Sequence, residues 1–251
     1  MDSKLNRLKE FYSGLPLDRA KIETPYHGFA FLETLLSGGI QLEYGEMHRS
    51  VMLNKYKLSH IPGHRMDDLL RAHLEKVCNV CLYFHEDESR IFCLNLDNNN
   101  KTNNTELISE IKLAVGLLRE HLTQLGCEPL IIASGRGYHL WCRLTVPIEN
   151  QKLHQFMLRV TAMTLAGLHQ KGCDYNQIKV NFYPDPRIRS QVSLRLFGSE
   201  HARNQVFSRV YTPEGLLDED ASWDAFEDHL LHKTISEDRF QQAYEVLMSA
   251  Y

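Results

Sequence analysis

IIASGRGYHLWC, residues 131–142, predicts a β-hairpin in which two apolar strands flank the tight turn at residues 134–137. Two glycines in this turn let the backbone take positive φ and come close to a ligand. The hydroxyl of Ser134, the guanidinium of Arg136 and the imidazole of His139 are all suited to phosphate oxygens. The hairpin is therefore a candidate phosphate-binding turn.

A second informative segment lies upstream, where Ile91–Asp97 predicts a buried strand that ends in an acidic residue. Alternation along a strand places Asn95 and Asp97 on the same face of the sheet. Two oxygen ligands on one face can share a divalent cation. Together with the hairpin, this strand predicts a metal-dependent nucleotide site.

The composition limits the classes of partner and compartment. At 251 residues and 43% hydrophobic content, the chain is long enough to bury a substantial core. The net charge of −4 gives no global basic field, so a nucleic acid would have to bind at a local patch. No apolar run approaches the roughly 18 residues that cross a bilayer, and six scattered cysteines favour a reduced, cytoplasmic protein without membrane contact.

The order of predicted elements gives the fold class. A strand pair at 80–84 and 91–96, joined by an acidic turn, precedes a long helix, the glycine hairpin, a second long helix and two further strands. This order predicts an α+β fold with an antiparallel or mixed sheet covered by helices. Thr24 and Pro25 suit the N-cap and first position of an early helix. We expect a helical segment at 1–65, a core at 66–210 and a helical segment at 211–251, whose terminal helices are candidate contacts for a protein partner.

Three pieces of the sequence together resemble the archaeo-eukaryotic primase superfamily, the catalytic subunits of primases and primase-polymerases. That family has an acidic pair on a strand, a Ser-Gly-x-Gly-x-His type of turn, and an apolar residue plus Asp followed by a basic residue on a later strand. The resemblance covers about residues 70–205. The matching positions are Asn95-Leu96-Asp97, Ser134-Gly135-Arg136-Gly137-Tyr138-His139, and Val180-Asn181 followed by Ser193-Leu194-Arg195.

The resemblance implies a fold and an activity. The fold would be an RRM-like primase-polymerase core, and the activity would be joining of NTP or dNTP on a DNA template with Mg²⁺ or Mn²⁺. Asp97, Asn95 and Asn181 would be the catalytic positions, with Asp97 and Asn95 as metal ligands. The residues that would contact the incoming nucleotide are Ser134, Gly135, Arg136, Gly137, His139, Arg195 and His201.

The chain departs from the family pattern at two acidic positions. Asn95 stands at the first acidic position and Asn181 at the acidic position of the third motif. An asparagine oxygen can coordinate a metal but carries no charge, so two formal charges are missing. Either acids such as Asp174 or Asp185 compensate, or the polymerase chemistry is weakened or lost.

Two alternatives to an enzyme follow from the residues. The first is a primase-like fold that has lost its acids and serves as a nucleotide-binding or nucleic-acid-binding assembly module. The second is an RRM-like RNA binder, which would need exposed aromatic side chains on the sheet face.

Overall fold

The chain folds into two compact α+β units, each discontinuous in sequence. The first unit comprises Met1–His85 and Ser190–Ser208, and the second comprises Glu86–Arg189 and Arg209–Tyr251. The structure is a computed structural model that describes residues 2–25, 33–34, 36–48, 53–98, 105–173, 175–176, 178–188, 193–200 and 206–249. Both described sheets are antiparallel, so the predicted α+β class is confirmed.

The first unit contains a five-stranded sheet. Its described elements are α1 (Asp2–Phe11), β1 (Ala20–Pro25), β2 (Gln41–His48), β3 (Leu53–Ser59), α2 (Gly63–Leu74), β4 (Asn79–Tyr83) and β9 (Ser193–Arg195). The strand order is β2-β3-β1-β4-β9. On β1 the apolar Ala20 and Ile22 are buried, whereas the intervening Lys21 and Glu23 belong to the opposite face. The sheet therefore has one apolar face and one charged face.

The structure differs from the predicted helical segment at 1–65, because three strands lie within it. Thr24 and Pro25 end strand β1 and do not start a helix. β4 pairs with β1 only as far as Glu23, so Pro25 lies past the part of the strand that is paired on both sides. Proline is tolerated there because fewer ladder hydrogen bonds need its missing N–H.

The second unit contains a six-stranded sheet in the order β11-β10-β6-β7-β5-β8. Its described elements are β5 (Glu88–Asn98), α3 (Thr105–Gln124), β6 (Leu130–Ala133), β7 (Gly137–Glu149), α4 (Asn150–Gln170), β8 (Ile178–Tyr183), β10 (Arg209–Thr212), β11 (Gly215–Leu216), α5 (Glu219–His232) and α6 (Glu237–Ser249). The connectivity β5-α3-β6-β7-α4-β8 is the βαββαβ arrangement of ferredoxin-like and RRM-like folds. The predicted RRM-like core is therefore present, centred on β5 and β7.

One face of this second sheet forms the core of the unit. Phe92, Leu94 and Leu96 alternate along β5 and are fully buried with apolar residues of α3 and α4. The other face carries the intervening positions, among them Asn95 and Asp97. Because strand side chains alternate in direction, packing of the helices on one face fixes which polar residues lie together on the other.

The strand pair predicted at 80–84 and 91–96 does not form a hairpin. Both strands exist, but β4 belongs to the five-stranded sheet and β5 to the six-stranded sheet. β4 is already paired on both sides, with β1 and β9. The division of the chain into segments 1–65, 66–210 and 211–251 remains a prediction, and its boundaries differ from those of the two discontinuous units.

Two simpler expectations concern the membrane and the cysteines. Within the described residues, no helix has the length and apolar character required to cross a lipid bilayer. All six cysteines are free thiols, and five of them are buried. The cytoplasmic location remains a prediction.

Candidate functional site

The glycine turn is a two-residue hairpin loop between β6 and β7. The N–H of Ser134 donates a hydrogen bond to the carbonyl of Gly137 at 2.9 Å. Gly135 has φ of +91° and is the first of the two central residues, the position at which type II′ hairpin turns place glycine. Arg136 is exposed at the tip of the loop, whereas Ser134 is buried.

Gly137 is needed for a different reason than Gly135. Positive φ was predicted for both glycines, but among the described glycines with positive φ only Gly135 belongs to this turn. Gly137 pairs with Asp97 of β5. A Cβ at position 137 would overlap the carbonyl oxygen of Leu96 and would lie 2.9 Å from Oδ1 of Asp97. Glycine therefore allows β7 to approach β5 and places the Asp97 carboxylate beside the turn.

A row of polar residues crosses the three strands β7, β5 and β8. Asn95 pairs directly with His139 on one side and with Asn181 on the other. Residues that are directly opposite in antiparallel strands project from the same face. Asp97 lies two residues further along β5, also on this face. The second unit thus brings together the predicted catalytic positions Asn95, Asp97 and Asn181 with His139.

The amide of Asn95 is held in one orientation by its neighbour. Nδ2 of Asn95 donates a hydrogen bond to Oδ2 of Asp97 at 3.2 Å. Oδ1 of Asn95 is buried, and it accepts no hydrogen bond from the residues that the structure describes. A buried oxygen without a donor is destabilising unless a ligand, a water or a cation satisfies it. This oxygen marks the point where the site fits a further group.

The donor set fits one divalent cation and does not fit two. Asp97 supplies one carboxylate, and Asn95 and Asn181 supply neutral amide oxygens, all of the hard type that Mg²⁺ and Mn²⁺ accept. Within the described ranges there is no group of three or more His, Cys, Asp or Glu residues that could hold a metal. Lys179 pairs with Asp97 across β8, which places an additional positive charge beside that carboxylate. The net negative charge that this site offers to a cation is therefore small.

Asp185, one of the two acids that could compensate for the missing charges, forms an ion pair with Arg187. The guanidinium of Arg187 donates to both oxygens of Asp185, at 2.9 and 2.8 Å. These hydrogen bonds hold the pKa of Asp185 below its usual value. Asp174, the other candidate, lies outside the described residues. Compensation by Asp185 would require the Arg187 pair to break first.

The remaining predicted residues are not part of this row. Arg195 is buried on β9 of the first unit, opposite Cys81. His201 lies outside the described residues.

Trp141 pairs with Cys93 and so belongs to the polar face of the second sheet, but it is completely buried. Because stacking on RNA bases needs an accessible ring, the burial of Trp141 weighs against the RRM-like RNA binder.

Sequence reasoning missed Lys179 and the role of Gly137. Lys179 is two residues before Asn181, so alternation along β8 places it on the same face, and this could have been found by counting. The close approach at Gly137 depends on the register between β5 and β7. Register between strands that are some forty residues apart in the chain is not encoded in the local pattern.

Comparisons with known proteins add little to this geometry. No family model and no curated protein matches the sequence. Among solved structures, the chain is similar to the polymerase domain of Mycobacterium tuberculosis Ligase D in complex with DNA, with 12% identity and a TM-score of 0.48. The alignment covers 99% of this chain and 87% of that one. At this level of similarity the match carries no argument about function.

Proposed function

We propose that the chain is a primase-polymerase-like nucleotidyltransferase that extends a nucleic-acid strand from NTP or dNTP, using one divalent cation. The observation that carries the proposal is the polar row His139, Asn95 and Asn181 beside Asp97 and the glycine turn. These are the motif positions by which the sequence resembles the archaeo-eukaryotic primase superfamily. Their arrangement on one face of an RRM-like sheet supports that resemblance.

In this proposal the residues of the turn bind the phosphates of the incoming nucleotide. Ser134 and His139 donate hydrogen bonds, and the exposed Arg136 contributes a charge-assisted contact. Gly135 and Gly137 allow the backbone to approach the phosphates. Phosphate contacts by Arg195 and His201 remain predictions from their motif positions. Because phosphoryl transfer depends mainly on positioning and charge stabilisation, these contacts would supply most of the protein's contribution.

Asp97 and Asn95 are the proposed cation ligands, with Asn181 as the third oxygen donor on the same face. When bound, Mg²⁺ or Mn²⁺ would neutralise charge on the phosphates and orient them for in-line transfer. The hydrogen bond from Asn95 to Asp97 orients both side chains. With a single carboxylate, we expect weak cation binding and slow turnover.

A primer-extension assay tests this proposal. The protein is incubated with a primed template, Mn²⁺ and labelled nucleotides, and the Asp97→Asn variant, purified in parallel, controls for contaminating polymerase. We expect extension by the wild-type protein and none by the variant. Absence of extension at high protein concentration, or equal extension by both proteins, would contradict the proposal.

The second candidate function is a primase-like module that binds nucleotide or nucleic acid without turnover. Among the three motif positions Asn95, Asp97 and Asn181, only Asp97 is a carboxylate, and this favours the second candidate. This candidate predicts nucleotide binding that survives chelation of divalent cations by EDTA. Extension by the wild-type protein that is unchanged in the Asn95→Asp and Asn181→Asp variants would remove the basis for this candidate.

A further inference from the structure

A second line of side chains crosses the charged face of the five-stranded sheet in the first unit. Direct antiparallel pairs join the residues Tyr44, Lys57, Lys21, Cys81 and Arg195, one from each strand in the order β2-β3-β1-β4-β9. Directly paired residues share a face. Four strand spacings of about 4.8 Å make this row, named here the basic strip, about 19 Å long.

The basic strip combines three positive charges with an accessible aromatic ring. Tyr44 is 54% exposed at the outer strand, and Lys57 beside it is also exposed. Lys21 is half-buried, and Arg195 is buried at the far end. The strip is therefore open to solvent at β2 and β3, half-buried at β1 and buried at β4 and β9.

The neighbouring row does not cancel this charge. It pairs Glu46 with Lys55, Lys55 with Glu23, and Glu23 with Asn79, for a net charge of −1. Glu23 lies 3.3 Å from the ammonium of Lys21 and 3.9 Å from that of Lys55. Burial alone would raise the pKa of Glu23, but the two lysines lower it, so this carboxylate is charged.

Taken together, the two rows have a net charge of +2 in a chain whose overall charge is −4. Lys55 also has the carboxylate of Glu46 directly opposite on β2, so the excess positive charge belongs to the strip itself, whose five residues include no acid. A surface with excess positive charge in a partly desolvated position attracts anions, and a linear arrangement favours a linear polyanion. An exposed tyrosine at one end adds a surface on which a base can stack.

We propose that the basic strip binds single-stranded nucleic acid, with the phosphodiester backbone along Lys57 and Lys21 and a base stacked on Tyr44. Binding of single strands by a positively charged surface with an aromatic platform is sequence-tolerant. The proposal deepens the proposed function by naming the surface that holds the strand. It does not require catalysis, since a binding module would use the same strip.

The test measures binding of a fluorescein-labelled oligothymidylate of about 16 nucleotides as a function of salt concentration. The variants are Lys57→Glu and Tyr44→Ala, both at exposed positions where the fold should persist, which denaturation curves check. The matched control is Lys112→Glu, which makes the same change in net charge at an exposed position of α3 in the second unit.

We expect Lys57→Glu to weaken binding and to make the slope of log K against log salt shallower by about 0.7. Tyr44→Ala should weaken binding by about five-fold or more with an unchanged slope. Lys112→Glu should leave both quantities at their wild-type values. The proposal would be overturned by wild-type affinity in both strip variants or by an equal loss of affinity in Lys112→Glu. It would also be overturned if the wild-type protein bound no oligonucleotide.

Two further measurements test whether the strip binds single strands in preference to free NTP and to duplex. The affinity for free NTP should be unchanged in Lys57→Glu, and an equal loss of NTP affinity would show that the strip binds nucleotide and would overturn the proposal. Competition by unlabelled duplex should be weaker than by unlabelled single strand, and the reverse order would also overturn it. A further outcome is that the wild-type protein fails to extend a primer while its oligonucleotide binding is still weakened by Lys57→Glu and Tyr44→Ala. That combination would contradict the proposed enzyme but support the proposed binding by the strip.

Discussion

Gly137 lies directly against Asp97 across strands β7 and β5, so close that a Cβ on Gly137 would be 2.9 Å from Oδ1 of the aspartate and would overlap the Leu96 carbonyl. This contact joins the carboxylate to the glycine turn. It also sets the spacing between the two central strands of the second sheet. The geometry of the proposed site and the packing of the hairpin therefore depend on the same glycine.

The first prediction concerns the stability of this contact. Gly137→Ala should lower the free energy of unfolding by about 1–3 kcal/mol, because the backbone oxygen of Leu96 cannot move aside as a flexible side chain could. Urea denaturation followed by circular dichroism measures the change. Gly116→Ala is the control, since position 116 of α3 has open space and a helical glycine replaced by alanine should stabilise by about 0.5–1 kcal/mol. Equal stability of Gly137→Ala and the wild-type protein would contradict the close contact.

The second prediction concerns the missing charge at Asn95. Asn95→Asp would replace the hydrogen bond to Asp97 with two carboxylates at about hydrogen-bond distance. Two negative charges at that distance raise the pKa of one of the two carboxyls. We therefore expect the variant without metal to lose about 1–3 kcal/mol of stability at pH 7. Added Mn²⁺ should restore stability, and its affinity should exceed that of the wild-type protein, as measured by isothermal titration calorimetry.

Asn6→Asp makes the same chemical change at an exposed position of α1 and should alter neither stability nor Mn²⁺ affinity. If Asn95→Asp binds Mn²⁺ no better than Asn6→Asp does, the oxygen at position 95 does not contribute to a cation site.

The third prediction concerns acid stability and depends on His73, which is completely buried in the first unit. Its Nε2 donates to the carbonyl of Phe197 at 2.9 Å, and its Nδ1 accepts from the N–H of Val80 at 3.1 Å, so only the neutral ring fits. Burial, aided by the charge of Arg195 and opposed by the Phe197 hydrogen bond, lowers the pKa of His73 from 6.5 to about 4. The unfolded chain therefore takes up a proton below pH 6.5 that the folded protein excludes down to about pH 4.

Stability from His73 is complete above pH 6.5 and falls as the pH drops, by about 3 kcal/mol at pH 4. His73→Gln should flatten the dependence of unfolding free energy on pH between 6.5 and 4, although it lowers stability at pH 7. Burial also lowers the pKa of His154 and His229, so some acid loss should remain in the variant. His232→Gln, at an exposed position, should keep the wild-type dependence. The same curvature in both variants would contradict the prediction.

The fourth prediction separates binding from folding at the turn. Arg136 is exposed, so Arg136→Ala should change the free energy of unfolding by less than about 0.5 kcal/mol. Loss of a charge-assisted contact to phosphate should weaken NTP binding by about ten-fold, measured by fluorescence with a labelled nucleotide. Arg136→Lys should recover part of the affinity. Arg90→Ala, at an exposed position on the other end of β5, should retain the wild-type affinity for NTP. An equal loss of NTP affinity in Arg90→Ala would refute a specific role for Arg136.

Local patterns predicted the elements around the candidate site well. Alternation along β5 correctly placed Asn95 and Asp97 on one face, and the glycines at 135 and 137 correctly predicted a tight hairpin. These features depend on residues within a few positions of each other. The pairing of Asn95 with both His139 and Asn181 spans up to 86 positions, which is the difference between 181 and 95, and only the folded register reveals it.

The elements that sequence analysis missed lie in the first unit. β1 mixes Lys21 and Glu23 with apolar residues and ends in Thr24-Pro25, a pair that is typical of helix starts. Its charges occupy one face of a sheet whose strands come from distant parts of the chain. The basic strip was missed for the same reason, since each of its five residues comes from a different strand.

The return of the chain to the first sheet has a consequence for biosynthesis. β4 receives its second neighbour only when β9, at Ser193–Arg195, has been made. On a ribosome that adds about 5–20 residues per second, the outer edge of β4 stays unpaired for several seconds after β1 to β4 have emerged. Translation must therefore deliver most of the second unit before the first can close, so the first unit should not be obtainable as a simple N-terminal fragment, whereas residues 86–251 include every residue of the second unit.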